Sequence, residues 1–190
     1  MGRLLTLYLR SRHVPIALPA AIVVVAALSW LGDNPRNPME TVIFAVLALA
    51  LGLSVLGNGF SGADPALERT GSIRWPLWRA VHALAMGLLL FGTVALVSHA
   101  PVGMVARDAV GLVGLAGLAA ALFGGQLAWT LPILWAGAAA VVPPVTTPAV
   151  LALLTWPTQA PDSASALVVA LVLGLGGVFC YAQQGRSRRS

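Results

Sequence analysis

Residues 109–161 read AVGLVGLAGLAAALFGGQLAWTLPILWAGAAAVVPPVTTPAVLALLTWPTQAP, with no Asp, Glu, Lys or Arg among them. Residues 41–63 are likewise free of charge. A helix in a water-soluble fold turns one face to solvent and carries polar residues at helical spacing. Runs that stay apolar all round for this long suit lipid instead. The chain therefore reads as an all-α, polytopic membrane protein.

Composition points the same way. Charged residues make up 9% of the sequence, against about a quarter in soluble domains, and the mean hydropathy is +0.88. At about 20 residues per spanning helix, the chain has room for at most about seven or eight spans and no separate soluble domain. Any catalytic domain that needs water, ATP or nucleic acid is expected on another chain.

The net charge of +5 is carried by arginine, since the sequence has no lysine. Three clusters hold most of it: Arg3, Arg10 and Arg12; Arg69, Arg74 and Arg79; Arg186, Arg188 and Arg189. In a soluble protein such basicity would suggest nucleic acid. Here the clusters flank apolar spans, so membrane topology accounts for them and no nucleic-acid partner is expected. The single cysteine, Cys180, rules out an internal disulfide and cannot alone build a metal site. It reads as a thiol packed within the membrane. The arginine-rich start followed by an apolar stretch resembles a signal peptide. The stretch at 14–31 is longer than a usual signal core and more membrane follows, so it reads as a retained first span.

The chain then divides as follows. Residues 1–13 interleave leucines with arginines, which suits an interfacial helix on the membrane surface. Span one covers 14–31 and span two 39–60, joined by a loop with Asp33 and Arg36. A polar insertion at 61–79 contains Asp64-Pro65, which reads as a helix cap with proline at the first helical position. A short helix at 64–70 follows, stopped by Gly71. Span three covers 80–98, span four 109–123 and span five 127–142, where Pro143-Pro144 ends it. Within 143–163 the apolar stretch 148–156 rises only about 14 Å as helix, far short of a ~30 Å hydrocarbon core. It reads as an outward re-entrant or interfacial hairpin, covered by protein because bare irregular backbone is costly in lipid. Span six covers 164–184.

Six spans put both termini on one side, with all three arginine clusters there and only Arg36 and Arg107 opposite. The positive-inside rule makes that side the cytoplasm of an inner (plasma) membrane. A seventh span at 148–156 would move the arginine tail outside. The expectation is one transmembrane domain over residues 1–190.

This layout resembles the membrane subunit of a type-V ABC exporter. The matching features are the interfacial helix at 1–13, the six runs, the 64–70 helix as a cytoplasmic coupling helix, and the outward hairpin. The chain is also similar to small actinobacterial permeases encoded beside a separate ATPase. The stretches that carry this are Asp64-Pro65-Ala66-Leu67-Glu68, Arg79 with His82, Arg107-Asp108 with Gly111-Leu112 and Gly114-Leu115, and Leu127-Ala128-Trp129 with Pro132. It departs from that pattern at Asp108, where asparagine is more usual. The resemblance implies that the coupling helix docks on an ABC ATPase, which holds ATP and Mg. The chain itself has no G-x-x-x-x-G-K-[ST] and is expected to be non-catalytic, without a cofactor or metal. Six spans form half a pathway, so a second permease subunit, identical or related, is expected. The implied cargo is a hydrophobic or amphipathic compound such as a drug, antibiotic or peptide.

Individual residues carry two readings each. Asp64, Leu67, Glu68 and Arg69 are coupling candidates, or a solvated, capped turn. Arg79 and His82 are inner-gate candidates, or interfacial groups bonded to neighbours. Trp129 and Trp135 lie six apart on span five and cannot share one narrow face, so one of them is a candidate to line the pathway. Trp30, Trp75, Trp78 and Trp156 fall where an aromatic belt belongs. His99, Arg107 and Asp108 are read as solvated outer-loop residues. Gly111, Gly114 and Gly117 give span four a face for close helix packing. Gly59-Phe60-Ser61-Gly62 matches the G-x-S-G of rhomboid intramembrane proteases, with His82 as the available partner for Ser61. That protease, or an accessory membrane protein without transport activity, is the alternative function.

Overall fold

The long apolar runs fold as seven helices in a computed structural model that describes residues 14–32, 36–60 and 75–183. In chain order they are α1 (Val14–Leu31), α2 (Pro38–Leu56), α3 (Trp75–Val97), α4 (Val102–Phe123), α5 (Thr130–Val141), α6 (Ala149–Leu154) and α7 (Ala164–Gln183). Short 3-10 turns at Gly57–Phe60, Gly125–Leu127 and Trp156–Thr158 extend or join them, and there is no strand among the described residues.

Local chemistry sets the helix ends. The Asn37 side chain accepts from the Glu40 backbone N–H at 3.4 Å, and Pro38 occupies the first helical position, where its missing N–H costs nothing. Helix α4 starts directly after Pro101 and stops at Gly124, whose φ of 96° favours a residue without a Cβ. The proline pair after Val142 halts α5 after 12 residues.

Helices α2, α3, α4 and α7 are long and apolar enough to cross a membrane, while α1 and α5 are apolar but shorter. Helix α4 is the central element and is mostly buried. It packs most extensively against α7. A Cβ on Gly114 would run into the backbone of Leu173 and Gly174, and one on Gly177 would run into the backbone of Gly114. The two helices therefore cross in near-backbone contact, as small residues permit. The outward faces of α3 and α7 carry Leu84, Leu88, Leu96, Val172, Leu175 and Phe179, all exposed. So large an apolar surface is unusual in water and compatible with a membrane protein.

Several boundaries differ from the sequence reading. Helix α3 begins at Trp75 and α4 at Val102, each several residues earlier than expected. Arg107 and Asp108 are thus helical and buried, not solvated in a loop. An opposite-charge pair can neutralise itself inside a protein, which lets the helix start before the last charge. Trp156, expected at an interface, is 0% exposed. Cys180, read as packed, is exposed on α7. In 143–163 the α-helical part is the six residues of α6, followed by the 3-10 turn at Trp156–Thr158.

Candidate functional site

The bundle has two unlike ends. At one, the 3-10 turns after α2 and before α5 meet the end of α7, where the Tyr181 hydroxyl donates to the Phe60 carbonyl at 3.1 Å. At the other, the start of α2, the α3–α4 turn, the end of α5 and the connector into α7 surround a cleft of about 930 Å³. The second end holds the unusual chemistry.

Arg107 lies on the second turn of α4 with 5% of its surface exposed, beside Asp108 with 2%. Its Nε donates to Asp108 Oδ1 at 2.9 Å. Both of its Nη groups reach the connector before α7. Nη1 donates to the Ala160 carbonyl at 3.0 Å, and Nη2 donates to the carbonyls of Pro157 at 3.0 Å and Gln159 at 3.2 Å. Pro157 and Pro161 interrupt the backbone pattern here: the Ala160 carbonyl also accepts from the Ser163 backbone N–H at 3.0 Å, while Arg107 serves the carbonyls of Pro157 and Gln159. A planar guanidinium can hold several acceptors at once where a lysine ammonium holds them less rigidly.

Neutral side chains tie the connector further. Gln159 Nε2 donates to the Ala152 carbonyl at 2.9 Å, and Gln159 Oε1 accepts from Ser163 Oγ at 2.8 Å. Thr158 Oγ1 donates to the Thr155 carbonyl at 3.1 Å, and Thr155 Oγ1 donates to the Leu151 carbonyl at 2.8 Å. Trp156 anchors the same segment by packing against Gly111, Ala166 and Ala170. Residues 155–160 thus form a wall bonded both to itself and to α4.

That wall is one side of the cleft. The facing surfaces come from Met39 and Val42 of α2, Met104 of α4, and Val145 after α5. The lining is predominantly apolar, and His99 at its exposed rim is its one titratable side chain. Such a space can take an apolar body, but it offers no charged group to an ion.

The sequence-derived candidates that the structure describes lie away from the cleft. Ser61, Asp64, Leu67, Glu68 and Arg69 fall outside the described residues, as do the interfacial segment 1–13 and the coupling helix at 64–70. Arg79 and His82 share the first turns of α3, half-buried and buried respectively. His82 lies roughly 22 Å along α3 from the cleft end, counting helical rise alone. Trp129 is exposed at the start of α5 and packs near Gly57, while Trp135 is half-buried against the Trp156 cluster. Neither tryptophan lines the cleft. Among the described residues no three His, Cys, Asp or Glu side chains converge as a metal would need.

Sequence reasoning missed the cleft and the clamp. One signal was present: Arg107 and Asp108 are the only charged residues between Arg79 and Asp162. An adjacent, self-neutralising pair in so apolar a setting marks a buried pair more readily than a loop. In comparison with known proteins, the chain matches no family model, no curated protein and no solved structure.

Proposed function

We propose that the chain is the membrane-spanning permease subunit of an ATP-driven exporter. It moves a hydrophobic or amphipathic compound, and ATP with Mg is bound and hydrolysed on a separate ABC ATPase subunit. The observation that carries this reading is the segment between α5 and α7. It is a short helix and a 3-10 turn at one end of the bundle, which this reading takes as the outward hairpin of a type-V exporter permease. In this reading α1 and α5 complete six spans with α2, α3, α4 and α7, and both termini are cytoplasmic in the plasma membrane. Tight packing of Trp156 supports it, because irregular backbone at membrane depth must be covered by protein.

The insertion at 61–74 then faces the ATPase, with Asp64, Leu67, Glu68 and Arg69 at the contact and Arg79 and His82 behind it. A second permease subunit completes the pathway. The test is simultaneous replacement of Asp64, Glu68 and Arg69 by alanine. The expected result is normal membrane insertion with loss of the ATPase from the purified complex. Unchanged association with the ATPase would remove the coupling assignment.

A further inference from the structure

The transport reading needs a pathway between subunits, and it assigns no role to a cleft inside one. The cleft nevertheless has the features of a small-molecule site. Its volume of about 930 Å³ lies within the range of roughly 300–1,000 Å³ that such sites occupy. Met39, Val42, Met104 and Val145 provide apolar walls.

The polar side chains that the 155–160 wall lends to the cleft, Thr158 and Gln159, are already committed. Gln159 uses its amide N–H on Ala152 and its oxygen on Ser163, and the Thr158 hydroxyl donates to Thr155. The buried Arg107 turns its bonds toward Asp108 and three backbone carbonyls. A carboxylate or phosphate would enter without a counter-charge, and a sugar would find few open partners. A neutral apolar body loses nothing by entering.

The second observation is the wall. Burying a guanidinium is expensive, and an apolar side chain of similar size would close a bundle end as well or better. What Arg107 does that an apolar residue cannot is bond the carbonyls of Pro157, Gln159 and Ala160, the last two of which line the cleft. A wall held in place saves the cost of ordering it when a ligand binds.

The geometry points to a binding site in this cleft for a neutral, largely apolar small molecule, of the long-chain alcohol or acylglycerol class. Its chain lies against Met39, Val42 and Met104, and its polar end sits at the exposed rim beside His99. Arg107 is a positioning residue for this site. The inference rests on the chain being a membrane protein and not on its pairing with an ATPase.

The test is photo-labelling of the purified full-length protein with a long-chain alcohol carrying a mid-chain diazirine, the adducts being mapped by mass spectrometry. Saturable labelling of the peptides containing Met39, Val42 and Met104 is expected, about tenfold above that on the lipid-facing Leu171 and Leu175. Met104→Trp, which fills the cleft, should abolish this excess and leave labelling of α7 unchanged. Arg107→Gln should also lose it, whereas Arg107→Lys retains part of it. Competition separates two sources of the ligand. Displacement by unlabelled alcohol alone indicates a free compound, and displacement by phosphatidylcholine as well indicates a lipid chain; both support the site. Unsaturable labelling equal to that of α7, or labelling unaffected by Met104→Trp, would overturn it. Failure to find an ATPase partner would leave this result untouched.

Discussion

The guanidinium of Arg107 donates through Nη2 to the carbonyl of Pro157 at 3.0 Å, across 50 residues of sequence. With the neighbouring bonds to Gln159 and Ala160, it joins the start of α4 to the connector that leads into α7. The same connector carries Trp156, which is buried, and lends Gln159 and Ala160 to the cleft lining.

Removing the clamp should be costly. Arg107→Ala leaves Asp108 buried without its cation and the carbonyls of Pro157 and Gln159 without their donor, so a loss of about 3–5 kcal/mol is expected. Asp108→Asn also removes a counter-charge from a buried group, but it keeps an oxygen for Nε and leaves the three carbonyl bonds in place, so its loss should be the smaller of the two. Thermal unfolding of the two purified variants in one detergent checks the order. A larger loss for Asp108→Asn would contradict it.

The crossing of α4 and α7 predicts a contrast between glycines. Gly114→Ala and Gly177→Ala each push a methyl into facing backbone that cannot step aside, at an expected cost of about 1–3 kcal/mol. Gly92→Ala and Gly176→Ala meet nothing within 4 Å and should leave stability unchanged or slightly raised. Melting temperatures of the four variants decide this.

Trp156 is buried for its shape rather than its N–H. Its Nε1 has no hydrogen-bond partner among the described residues. Trp156→Phe therefore keeps much of the packing and removes an unpaired donor, so it should be mild. Trp156→Ala should lose about 3–5 kcal/mol through the cavity it leaves. Equal losses would show that the indole N–H matters after all.

Cys180 is exposed on α7 within a candidate span and is the single cysteine of the chain, so a Cys180→Ser, Ser187→Cys variant carries its one thiol in the arginine tail as a topology probe. In the proposed orientation, a membrane-impermeant maleimide added to intact cells should leave it unmodified. The same reagent should label it in inside-out vesicles. Labelling in intact cells would reverse the assigned topology.

Much of the helical layout was legible because long apolar runs have few alternatives. The proline pair at 143–144 and Gly124 mark real breaks, since one blocks helical geometry and the other adopts a positive φ. The boundary at Val102 was not legible. Charge was used there as a sign of water, while Asp108 lets Arg107 be buried without net charge. Trp156 was misplaced for a related reason: tryptophan suits interfaces and cores alike, and only the small faces of Gly111, Ala166 and Ala170 decide between them. The glycine spacing of 111, 114 and 117 did signal close packing, and α7 answers it with Gly174 and Gly177. The cleft was beyond reach because its walls come from four separate parts of the chain.

The proposed function rests on a partner that supplies ATP hydrolysis, so the most direct measurement is purification of the tagged protein from its native host in mild detergent, with co-purifying chains identified by mass spectrometry. The account predicts a nucleotide-binding ABC subunit in stoichiometric amount. A preparation that keeps the permease subunits together yet contains no such subunit would contradict it.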